Sequence, residues 1–221
     1  MSIANSIRAQ IPPVHPEGYP FIGGFALASL ILFWIWTPLG WLGTLLTIWC
    51  ALFFRDPVRV TPVREGIVVA PADGRISMVT QMLPPAELGL GDRPLPRISI
   101  FMSIFDCHVN RAPLSGQVRD VVYRPGKFVN AALDKASSDN ERNAVVLDTA
   151  HGPVAVVQIA GLIARRILCY VEAGDTLARG QRYGFIRFGS RVDIYLPPSA
   201  APKVAIGDMA KATSTIIAEL A

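Results

Sequence analysis

Cysteine, histidine and charge are all scarce in this chain, and each scarcity removes a class of function. The three cysteines, Cys50, Cys107 and Cys169, share no Cys-x-x-Cys spacing, which argues against a disulfide framework and a structural zinc site. Charged residues make up 17% of the sequence and the net charge is +4, spread along the chain. That balance suits an anionic membrane surface better than a nucleic-acid groove, and no nucleic-acid-binding motif is present. Also missing are a Walker or dinucleotide-type glycine loop and the Gly-x-Ser-x-Gly elbow of a conventional serine hydrolase. Helical periodicity is weak after the N-terminal region, with 129–135 and the last residues as the short helical candidates.

Apolar residues are abundant, at 51% of the chain with a mean hydropathy of +0.38. The excess is local: residues 21–54 contain no charged side chain and hold all four tryptophans, Trp34, Trp36, Trp41 and Trp49. One helix over this run would extend roughly 50 Å, too long for a single crossing of a hydrocarbon core of about 30 Å. The Thr37-Pro38-Leu39-Gly40 interruption predicts a hairpin of two short helices over 21–37 and 39–54, behind an arm of residues 1–20. Arg8 before the run and Arg55, Arg59 and Arg64 after it place both ends, and the domain that follows, on the cytoplasmic side of the cell (inner) membrane. Each arm is short, so shallow insertion stays open beside full spanning. A cleaved signal peptide is not expected, because Pro12, Pro13, His15, Pro16 and Glu17 lie in the long stretch preceding the run.

Residues 55–221 change character, to short Val- and Ile-rich runs punctuated by Gly, Pro and Asp. Strands are expected at 67–70, 75–82, 97–104, 117–124, 144–148, 154–160, 166–171, 183–188 and 192–196. The fold class is therefore mainly β (α+β), a barrel-like β-sandwich behind a hydrophobic helical hairpin. A faint internal echo, Val171-Glu172-Ala173-Gly174-Asp175 against Val204-Ala205-Ile206-Gly207-Asp208, hints at similar hairpins, as in lipoyl- and biotinyl-carrier folds.

Three segments combine reactive side chains with turn chemistry: Ala70-Pro71-Ala72-Asp73-Gly74, Phe105 to Pro113 with His108 inside it, and Gly189-Ser190-Arg191. A Gly–Ser bond can break itself. The serine hydroxyl attacks the preceding carbonyl, and the resulting ester can eliminate to leave a ketone-bearing N-terminus. By itself the dipeptide is ordinary backbone, and Asp73-Gly74 is by itself a common turn pair. Of the three histidines, His15 lies in the Pro-rich arm and His151 in an apparent turn, and both are expected to be solvated. His108 follows the apolar strand expected over Ile98 to Phe105, at its polar end, where an imidazole can serve as acid or base as readily as it can be structural. Asp106, Cys107 and His108 are contiguous and alternate in direction, so no metal site is expected.

Together these residues resemble the phosphatidylserine decarboxylase family, in its short form. The likeness runs through the Trp-rich N-terminus into Phe53-Phe54-Arg55-Asp56-Pro57, Pro71 to Gly74, Asp106 to Pro113, Asn140-Glu141-Arg142-Asn143, Gln158-Ile159-Ala160-Gly161 and Phe188-Gly189-Ser190-Arg191. The resemblance implies a proenzyme cut between Gly189 and Ser190 into a β chain of residues 1–189 and an α chain of residues 190–221 that remain associated. Ser190 then becomes a covalent pyruvoyl group, the electron sink for decarboxylation, and no external cofactor or metal is needed.

The implied substrate is a membrane phospholipid, phosphatidylserine, converted to phosphatidylethanolamine and carbon dioxide. Asp73 matches the aspartate that, with a histidine, activates the serine. Larger members carry His-x-x-His before the proline. Aligning Pro113 places His108 on the first histidine and Arg111 on the second, so His108 is expected in both roles. Arg111, Lys127, Asn130 and Arg142 are candidate headgroup contacts. A homodimer, a related serine lipid such as archaetidylserine, and a non-catalytic membrane-tethered biotinyl-like module remain open readings.

Overall fold

The computed structural model describes residues 12–128, 139–162, 166–187 and 189–220. The helix expected at 129–135 lies outside them. The chain divides into two compact units, Met1–Val58 and Arg59–Ala221.

The first unit is a pair of apolar helices, α1 (Tyr19–Ile35) and α2 (Thr37–Phe53). The break falls at Trp36, in extended conformation (φ −162°, ψ 121°), and not at the Pro38-Leu39-Gly40 segment the sequence pointed to. Pro38 stands in the first turn of α2, where a missing N–H leaves no bond unmade, so it starts a helix and does not end one. The helices run antiparallel and meet through small residues. Ser29 Oγ donates to the Gly40 carbonyl (2.9 Å) and contacts Thr44 Oγ1 (3.0 Å). A Cβ at Gly43 would lie 2.9 Å from Ser29 Cα. At the open end, His15 N–H donates to Phe54 O and Asp56 N–H to Pro13 O, both at 2.7 Å. The outward faces are apolar, with Trp34 at 96% exposure, the reverse of a water-soluble hairpin. Residues Pro16–Ile35 form a helix long and apolar enough to cross a membrane; Thr37–Phe53 is shorter. Gly43→Leu is expected to splay the pair, read as loss of disulfide formation in a Ser29→Cys, Thr44→Cys background.

In the second unit the described strands all pair antiparallel. Its strands are β1 (Ile67–Val69), β2 (Gly74–Met82), β3 (Leu95–Met102), β4 (Val109–Arg111), β5 (Gly116–Arg124), β6 (Arg142–Thr149) and β7 (Gly152–Ala160). They continue with β8 (Arg166–Cys169), β9 (Thr176–Leu177), β10 (Arg182–Arg187), β11 (Ser190–Tyr195), β12 (Ala200–Pro202), β13 (Met209–Ala210) and β14 (Ile216–Leu220). All nine expected strands are present. The last residues, expected as helix, are instead β14, paired with both β1 and β12. Five residues are too few to separate a period of 3.6 from one of 2, and the two partner strands decide the outcome.

An eight-stranded sheet in the order β13-β2-β3-β11-β7-β6-β5-β9 packs its inner face against two three-stranded sheets, β1-β14-β12 and β4-β10-β8. The sequence echo marks the two edges of the large sheet. Asp175 caps its turn by accepting from Glu172 N–H (2.9 Å), and Asp208 does the same from Ala205 N–H (2.8 Å). Each turn then feeds a two-residue edge strand, β9 against β5 and β13 against β2.

Alternation sorts the two faces. Ile98, Ile100, Val192 and Ile194 enter the core, while Arg97, Arg191 and Asp193 stand on the opposite face, each at most 1% exposed. Arg191 Nη2 donates to Asp193 Oδ2 at 3.0 Å, and Arg97 Nη1 lies 3.7 Å from the same oxygen. Asp193→Ala removes the carboxylate shared by two buried guanidinium groups. It is expected to lower stability by about 3–5 kcal/mol, measured by denaturant unfolding.

Candidate active site

The Gly189–Ser190 peptide lies where β11 begins. Gly189 has φ +62°, the left-handed region that glycine enters without strain, and Ser190 then enters the sheet between Met102 of β3 and Ala160 of β7. Ser190 has the same parity as Val192 and Ile194, so its side chain faces the core layer and is fully buried. Among the described residues the partner of Ser190 Oγ is Met102 Sδ at 3.4 Å, a weak acceptor. The hydroxyl is held in place but not engaged by a strong acceptor.

His108 is brought next to this peptide from 81 residues away: the N–H of Gly189, in the amide just before the Gly189–Ser190 bond, donates to His108 Nε2 at 3.3 Å. The ring's Nδ1 faces the Asp106 carbonyl at 3.0 Å. A carbonyl only accepts, so Nδ1 carries the proton and the Nε2 lone pair is the one that receives the Gly189 N–H. The preceding loop is built for this. Ser103 N–H donates to Asp106 Oδ2 (2.8 Å) and Asp106 N–H to Ser103 O (2.9 Å), closing a turn that delivers the Asp106 carbonyl beneath the ring. His108 is fully buried. His151 is exposed, as expected, but His15 is not solvated: it is 8% exposed, and its Nδ1 accepts from Glu17 N–H to cap a short 3-10 turn.

The other expected residues are distributed more widely. Arg75 of β2, Phe101 of β3 and Arg191 of β11 are in register, so Asp73, just before β2, stands at Ser190's end of the sheet. Two strand spacings separate β2 from β11, about 10 Å. The Asp73 carboxylate accepts from Arg59 Nη2 (2.6 Å) and Ala212 N–H (2.8 Å). Arg111 lies on β4, where alternation turns it away from the face of His108, and its Nη1 donates to Gly180 O at 3.2 Å. Arg142 donates to Glu87 Oε1 at 2.6 Å, and this hydrogen bond holds the Glu87 carboxyl below its ordinary range. Lys127 is exposed, with its backbone bridged to Asn140. Asn130 lies outside the described residues.

Four buried residues at the site had no role assigned from sequence: Met102, Asn110, Asn143 and Gln158. Gln158 Nε2 donates to Asn110 Oδ1 (2.8 Å), and Asn143 Nδ2 to Gln158 Oε1 (3.0 Å). The available signal was parity: Gln158 shares the core-facing register of Val154 and Val156, and Asn143 that of Val145 and Leu147. An amide at a core position of an apolar strand needs a partner, and partners cluster at sites.

A buried serine after a left-handed glycine, with an imidazole nitrogen accepting from the adjoining amide, gives the site the nucleophile and base of an enzyme. The chain belongs to the phosphatidylserine decarboxylase family, whose profile, described as Phosphatidylserine decarboxylase, matches residues 46–218. It is also 64% identical over 217 residues to a protein of Nitrobacter winogradskyi named phosphatidylserine decarboxylase proenzyme, covering 98% of this chain and 88% of that one. The family expected from the motif segments is thereby shown, and with it a carboxy-lyase.

Proposed function

We propose that this chain decarboxylates phosphatidylserine to phosphatidylethanolamine and carbon dioxide after cutting itself between Gly189 and Ser190. The observation that carries the reading is His108 Nε2 accepting from the N–H of Gly189, the residue before a buried hydroxyl whose partner among the described residues is a thioether. His108 takes the Ser190 Oγ proton, and Oγ bonds to the Gly189 carbonyl carbon. The C–N bond then breaks as nitrogen takes a proton, giving an ester. Loss of the Ser190 Cα proton expels the Gly189 carboxylate, and water releases ammonia to leave a ketone at position 190.

The residues present fit a pyruvoyl group. Ser190 is the first residue of its strand, buried on the inner face, and the imidazole accepts from the N–H of the residue before it. When formed, that group supplies the electron sink for the pair released as carbon dioxide departs. His108 is then placed to return a proton to the carbon that lost the carboxylate, and the enclosed face keeps water away. Asp73 acts as a positioning residue. It braces the 70–74 turn, whose Pro71 carbonyl accepts from Arg111 N–H (2.9 Å), and so fixes the strand that follows His108.

The apolar hairpin supports membrane association, and the arginines flanking it support a cytoplasmic catalytic domain. Lys127, exposed and cationic, is the proposed headgroup contact. Intact-mass measurement of active protein should give two chains with the break before position 190, and phosphatidylserine vesicles should release carbon dioxide. Full activity in an uncut 23.9 kDa chain overturns the proposal.

A further inference from the structure

The three buried amides at the site form a chain whose direction the structure determines. Gln158 Nε2 lies 3.4 Å from the Leu168 carbonyl, which can only accept, so the nitrogen end of that amide faces Leu168 and Asn110. Asn110 must therefore turn its Oδ1 to Gln158, at 2.8 Å, and its NH2 the other way. Asn143 Nδ2 satisfies Gln158 Oε1 at the far end. Gly184 makes room for this arrangement, since a Cβ there would lie 2.6 Å from Gln158 Nε2 and 2.5 Å from Leu168 O.

The consequence is a strong donor aimed at a weak acceptor. Among the described residues, Asn110 Nδ2 has only Met102 Sδ, at 3.9 Å, although Asn110 is fully buried. Burying a donor without a good acceptor is unfavourable. The same sulfur is the partner of Ser190 Oγ. A thioether on a flexible side chain is easily displaced, so this donor is available to an oxygen that gains its charge only during the reaction.

We propose that Asn110 is a catalytic residue of the self-cleavage, donating its side-chain N–H to the oxyanion that forms on Gly189. In that step the Ser190 Oγ–H bond breaks and its proton passes to His108 Nε2. An Oγ–C bond forms at the Gly189 carbonyl carbon, and the carbonyl π pair moves onto oxygen. Asn110 stabilises that charge, and Gln158 and Asn143 are positioning residues that prevent its amide from flipping. Preorganisation of this kind lowers a barrier because no dipole has to reorient during the reaction.

The proposal rests on self-cleavage at Gly189–Ser190, and its test separates the two. The full chain is synthesised in vitro with phospholipid vesicles, and the appearance of two chains is followed by denaturing electrophoresis from pH 5 to 9. Asn110→Ala is expected to cleave about 10²-fold more slowly at every pH, with the pH of half-maximal rate unmoved. Hydroxylamine, which cuts esters, should not restore its rate, because the block precedes the ester. Gln158→Met, which keeps the Asn110 donor but frees its orientation, should be slowed by a smaller factor. Wild-type rates in Asn110→Ala overturn the proposal, as does a shift in its half-maximal pH, which would mean that His108 had been displaced. If Asn110→Ala does not fold, a wild-type rate in Gln158→Met overturns it equally. Failure of the wild-type chain to divide refutes self-cleavage itself.

Discussion

Ser190→Ala is expected to yield a single uncut chain of 23.9 kDa with no decarboxylase activity. The loss should be complete because Oγ is both the nucleophile of cleavage and the leaving oxygen whose departure creates the ketone; without it neither the peptide break nor the electron sink can form. The variant should fold. Alanine fits the fully buried site, and the hydroxyl's partner is the weak Met102 Sδ acceptor, while the backbone pairing with Met102 and Ala160 is untouched. Circular dichroism and the unfolding midpoint should therefore match those of the parent, so that inactivity reports chemistry and not structure. Two chains, or carbon dioxide release, from folded Ser190→Ala would remove Ser190 from both roles.

His108→Ala should slow cleavage by about 10² to 10⁴-fold, the usual range for loss of a positioned base. In the parent chain the cleavage rate should fall in acid, because protonation of His108 removes the Nε2 lone pair that faces the Gly189 N–H. The variant should lack that inflection. Whatever fraction of it does divide should also decarboxylate slowly, since the same ring is placed to return the proton after carbon dioxide leaves. A variant that divides at the parental rate would transfer the base to another group. Replacement of Arg111 is expected to leave the inflection in place, since alternation along β4 turns that guanidinium away and its Nη1 bonds the Gly180 carbonyl.

The parts legible in the sequence share one property: each is written within a few neighbouring residues. Alternating Val and Ile runs announced nine of the strands, the absence of charge from residues 21–54 announced the hairpin, and the Gly-Asp echo hinted at a pair of similar turns. Strands β9 and β13, two residues each, carry no period and were invisible. Pro38 was misread because a proline breaks a helix interior but begins a helix when it falls in the first turn, and only the position of Trp36 distinguishes the two.

The active-site pair shows the same division. By itself the sequence determined that a serine follows a flexible glycine, that His108 comes after an apolar strand, and that the motif segments occur in the order found in one family of decarboxylases. Tertiary structure decided which groups meet. It placed Nε2 on a peptide 81 residues away, used the Asp106 carbonyl to fix the tautomer, and joined Gln158 to Asn110 across 48 residues. Hydrogen-bond direction depends on what lies opposite each amide and ring nitrogen. In a β-sandwich the opposite group comes from another layer, at a sequence separation that no local pattern records.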